Sequence, residues 1–94
     1  MSSFTGEYKY KPEDFSGMLC LSDDLQEFYL LLEGFDQSPT DENWWPLRRQ
    51  WETVFFSIKH REVEGRLSPF DAGEIRNYLE DLINDKLQQR RAVG

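Results

Sequence analysis

The chain has 94 residues, 38% of them apolar and 31% charged, and a formal net charge of −7. Seven Phe, four Tyr and three Trp exclude the aromatic-poor composition of a disordered chain and leave one small domain with a modest core. A single cysteine, Cys20, excludes an internal disulfide. The absence of a long apolar run or a secretory leader pattern points to a cytoplasmic protein without a membrane partner.

The expected domain is 1–94, all-α, with residues 1–7 and 90–94 flexible because they carry few apolar anchors. Tyr8-Lys9-Tyr10-Lys11 alternates like a strand, and Met18 to Leu21 is a short apolar run. Pro12 and Gly17 interrupt the stretch, which favours an extended segment over a hairpin. Phe15, Met18 and Leu21 would then cover the spare face of the first helix.

That helix is expected at about 23–33, with Ser22 as its cap, Asp23 and Asp24 in its first turn and Gly34 as its stop. Leu25, Phe28, Tyr29, Leu31, Leu32 and Phe35 are apolar on more than one side, so something must cover the second side. A turn-rich linker, residues 36–43, follows. Ser38-Pro39-Thr40-Asp41 resembles a capping box, but Pro46 argues against a smooth continuation, so the second helix is placed at about 46–64. Its apolar stripe is Leu47, Trp51, Val54, Phe55, Ile58 and Val63, and Gly65 ends it. Ser68-Pro69-Phe70-Asp71 starts a third helix at about 69–89, carrying Ile75, Tyr78, Leu79, Leu82, Ile83 and Leu87. The short connection between the last two helices predicts a long antiparallel hairpin in a three-helix bundle.

Little chemistry is written in the chain. His60 is the only histidine; it could serve as a general base beside Glu64 one turn later, but no motif places a nucleophile, so an ordinary exposed or half-buried helix residue is the expected reading. One His and one Cys give only two soft ligands, too few for a zinc site built on His and Cys. The acidic stretch from Asp36 lacks the glycine and the final glutamate of a calcium loop. Glu80, Asp81 and Asp85 are neighbours on one helix face, not a pair across a cleft. The glycines are scattered singly and form no phosphate loop. No enzyme, metal or cofactor is expected.

Charge is polarised. Residues 1–43 hold ten acids and two bases, whereas 44–67 hold five bases and three acids. Arg48, Arg49, Lys59 and Arg61 are too diluted by Glu52, Glu62 and Glu64 for direct nucleic-acid binding. All three tryptophans fall between residues 44 and 51. In size and charge alone the chain resembles toxin-neutralising immunity proteins and nucleic-acid mimics. The expectation is therefore a small acidic module that inhibits or regulates a basic partner protein. Asp23, Asp24, Glu27, Asp36, Asp41 and Glu42 would steer it, and Trp44 or Trp45 would be the anchor. The alternative is a structural module, a homodimer or a subunit of a larger complex.

Overall fold

The computed structural model describes residues 8–93. A single 3₁₀ turn, Pro12–Phe15, precedes three helices: α1 (Leu19–Gln37), α2 (Asp41–Val63) and α3 (Pro69–Val93). Among the described residues there is no strand. The all-α bundle therefore stands, with every helix longer than expected. Residues 1–7 and 94 lie outside the described residues, and 90–93 belong to α3.

Helix α1 departs most from its local signals. It begins three residues before Ser22, at Leu19, behind Met18, which makes no side-chain capping bond. Ser22 lies in the first turn; its N–H bonds to the Met18 carbonyl at 2.9 Å and its hydroxyl donates to the Pro12 carbonyl at 2.8 Å. Leu21 is fully buried, and burying such a side chain is worth about 1.5–3 kcal/mol, which outweighs a missing cap of about 1. The same holds at the other end. Gly34 does not stop the helix, because Phe35 is buried against Trp44 with ring centroids 5.7 Å apart. A glycine inside a helix costs only about 1 kcal/mol.

Helix α2 begins at Asp41, five residues before Pro46, which it absorbs. The proline leaves the Glu42 carbonyl without its helical donor, and Glu42 is exposed, so water can take that place. Thr40 is the extended cap residue, and Asp41 and Glu42 in the first turn suit the positive end of the helix dipole. The Asn43 side chain ties this start to the linker by donating to the Ser38 carbonyl at 2.8 Å. At the far end Gly65 takes φ +80°, and Arg66 and Leu67 both donate their N–H to the Arg61 carbonyl. A residue with a Cβ is strained at that φ, so glycine belongs there. The next cap forms as expected: the Ser68 hydroxyl accepts the Asp71 N–H at 3.1 Å, with Pro69 at the first helical position.

The core sits around α1. Leu21, Leu25, Phe28, Tyr29, Leu32 and Phe35 are buried, and α1 packs more extensively on α2 than α3 does. Opposite them stand Trp44, Leu47, Val54 and Ile58 from α2 and Ala72, Ile75, Leu79 and Ile83 from α3. The expected stripe of α2 is thus corrected at three places. Trp51 and Phe55 are half-buried, stacked at 5.3 Å, and Val63 is exposed. Trp44 takes the core position instead.

The second side of α1 is covered by the N-terminal segment, which brings all four tyrosines of the chain together. Tyr8 stacks on Tyr29 with centroids 3.9 Å apart, and Tyr10 meets Tyr78 edge-on at 5.4 Å. The Tyr29 hydroxyl donates to the Tyr10 carbonyl, and the Tyr78 hydroxyl accepts the Lys9 N–H at 2.8 Å. This strap bridges α1 and α3, which otherwise touch little. Phe15 is buried and Met18 packs half-buried against the core as expected, whereas Leu21 lies inside α1. Burial pushes the Tyr8 and Tyr29 hydroxyls above the ordinary tyrosine range; the Glu33 carboxylate, accepting from Tyr8 at 3.2 Å, adds to the effect there.

Candidate functional site

The eight residues expected to bind a partner separate into three groups. Asp24, Asp36 and Asp41 are engaged within the chain. The Asp24 carboxylate accepts from the Ser57 hydroxyl, and its carbonyl accepts from Gln50 Nε2 at 2.9 Å, so it fastens α1 to α2. Asp36 pairs with Lys86 at 2.6 Å and Asp41 with Arg90 at 2.9 Å, so both hold α3 against the α1–α2 junction. The bases that answer the acidic half come from α3. On α2, Arg48 and Arg61 pair locally with Glu52 and Glu64.

Asp23, Glu27 and Glu42 form the second group, exposed and without an ion-pair partner among the described residues.

The tryptophans form the third, and the two neighbours differ sharply. Trp44 is 5% exposed and belongs to the core, whereas Trp45 is 56% exposed. Adjacent helical residues point about 100° apart, so both rings could not enter the core. The Arg90 guanidinium lies 5.6 Å from each ring centroid and holds the pair from the α3 side. Beside Trp45 an open groove of about 370 Å³ runs between α1 and α2, lined by Glu27, Leu31, Pro46, Arg49, Gln50 and Thr53.

Trp45 is also one end of a larger feature. Phe56 is 62% exposed and Val63 78%. Eleven and eighteen residues beyond Trp45, they return to its direction on a helix of 3.6 residues per turn. With Arg49, Glu52 and Lys59 between them, all exposed, they make a seam along the outer face of α2 at alternating spacings of four and three. The seam is about 27 Å long at 1.5 Å per residue. The periodicity of Trp45, Phe56 and Val63 was present in the sequence, but placing Val63 on the buried stripe concealed it. Leu30 and Phe70 are exposed elsewhere.

Among the described residues no group of three or more His, Cys, Asp or Glu could hold a metal ion, and no helix is long and apolar enough to cross a membrane. His60 and Cys20 are exposed. Comparison with known protein families, with curated proteins and with solved structures finds no match.

Proposed function

We propose that the chain is a helical assembly module that works by holding another protein chain against the outer face of α2, without catalysing a reaction. The observation that carries this reading is the alignment of Trp45, Phe56 and Val63 in solvent on one side of one helix. Single exposed apolar residues are ordinary, but a periodic line of large ones is the arrangement a partner helix covers. The test is co-purification from the source cell with tagged wild-type protein and with a Trp45→Asp, Phe56→Asp variant. Untagged copies of the chain itself are scored among the captured proteins. The variant is expected to keep its helical circular dichroism and lose the captured chains. Capture of the same chains by a folded variant would refute the reading.

A second reading, an acidic inhibitor of a basic protein, draws support from Asp23, Glu27 and Glu42, which are exposed and have no ion-pair partner among the described residues, Glu27 also lining the groove beside Trp45. It expects a basic partner whose association rate falls steeply with salt. Reversing Asp23, Glu27 and Glu42 to Lys should slow that association. Unchanged rates in the triple variant would remove this reading and leave the first intact.

A further inference from the structure

The seam along α2 is charged as well as apolar, and its charges select a partner. In chain order it reads Glu42, Trp45, Arg49, Glu52, Phe56, Lys59, Val63, every one exposed. Glu42, Arg49 and Lys59 have no ion-pair partner among the described residues, and Glu52 meets only the exposed Arg48, at 3.1 Å. We propose that this face binds a second copy of the chain, its α2 antiparallel to the first about a two-fold axis between Gln50 and Trp51. The inference rests on reading the outer face of α2 as the contact surface.

In that register Trp45 faces the partner's Phe56, Arg49 faces the partner's Glu52, and Glu42 faces the partner's Lys59. The two-fold repeats each pair, giving two aromatic contacts and four opposite-charge contacts along one seam. The neighbouring registers fail on charge. One heptad further along, Arg49 meets the partner's Lys59 and Trp45 meets the partner's Val63. One heptad back, Glu42 meets the partner's Glu52 and Trp45 meets the partner's Arg49. Parallel pairing sets Arg49 against the partner's Arg49 and Glu52 against the partner's Glu52. Of these arrangements only the antiparallel register centred between Gln50 and Trp51 sets unlike charges opposite each other and opposes no like ones, and like-charge juxtaposition is what excludes wrong partners at an interface. The spacing of four and three fits a shallow left-handed crossing.

The experiment is a charge exchange read by sedimentation in low salt. Wild type is expected to pass from monomer to dimer as concentration rises. Arg49→Glu alone opposes two glutamates twice per dimer, and Glu52→Arg alone opposes two arginines twice. Each should weaken self-association by about tenfold or more while keeping wild-type circular dichroism. Mixing the two single variants restores every opposite-charge contact, so the mixture should form a heterodimer that neither forms alone, and the double variant should dimerise again. Wild type that stays monomeric at the highest attainable concentration overturns the dimer, and the co-purification test of the α2 face then stands by itself. A dimer that the single variants leave unchanged also overturns the proposal, since it must use another face.

Discussion

Helices α1 and α2 are similarly rich in large apolar side chains, yet they dispose of them in opposite ways. Helix α1 buries Phe28, Tyr29, Leu32 and Phe35 on two sides, because α2 lies on one and the tyrosine strap closes the other. Helix α2 buries Trp44, Leu47, Val54 and Ile58 on its inner side and leaves Trp45, Phe56 and Val63 in water. The chain therefore has the means to cover surplus apolar surface and uses it on α1. What remains open on α2 is a long, regular seam, which is why we read it as a contact surface.

The contrast can be broken by mutation, and the largest effect should come from α1. Phe28→Ala is expected to cost about 3–5 kcal/mol in denaturant unfolding, a large share of the stability of a domain this size. Phe56→Ala should change unfolding by no more than about 0.5 kcal/mol, because it removes an exposed ring. A costly Phe56→Ala in the monomer would erase the distinction between the two helices.

The strap should respond to alkali. Tyr29 and Tyr8 hold their protons beyond the ordinary tyrosine pKa of about 10, chiefly through burial. Below that pH folded and unfolded chains are both protonated. Above it the unfolded chain ionises first, so stability falls as pH rises. Denaturant midpoints measured from neutral pH upward should decline beyond about pH 10. The decline should be shallower in Tyr29→Phe, which at neutral pH should lose about 1 kcal/mol with its hydrogen bond to the Tyr10 carbonyl. An identical alkaline slope in Tyr29→Phe would show that the strap does not carry it.

Smallest of all should be Arg90→Ala, at roughly 1 kcal/mol or less, since its ion-pair partner Asp41 and the Trp45 ring beside it are both exposed. The more telling readout is fluorescence: Trp45 loses its neighbouring cation, so emission should shift while the melting temperature hardly moves. Unchanged emission would place Arg90 away from the rings in solution.

Signals confined to a few residues were legible in the sequence. Gly65 and Ser68-Pro69 mark the α2–α3 connection correctly because cap chemistry is local. The split between Trp44 and Trp45 follows from helical geometry, although which ring is exposed does not. Ser22 and Gly34 mislead because buried Leu21 and Phe35 extend the helix past them through contacts made elsewhere in the chain. Pro46 misleads because its lost bond falls on an exposed turn. The candidate site suffers more. Asp36 and Asp41 find Lys86 and Arg90 some fifty residues away, and no periodicity announces such a pair. Both acids nevertheless stay exposed beside their partners, so the pairing offsets their charge without burying it.

The strap also sets an order of events in time. The Lys9 N–H reaches the Tyr78 hydroxyl across 69 residues of chain. On a ribosome adding roughly 5–20 residues per second, Tyr8 is made several seconds before α3 exists to receive its neighbours. Helices α1 and α2, joined by a short linker, can pair during that interval; the strap, whose contacts also need Tyr78, closes last. Until then only the half of the strap that needs no α3 can form, the Tyr8–Tyr29 stack, while the contacts of Lys9 and Tyr10 wait for Tyr78.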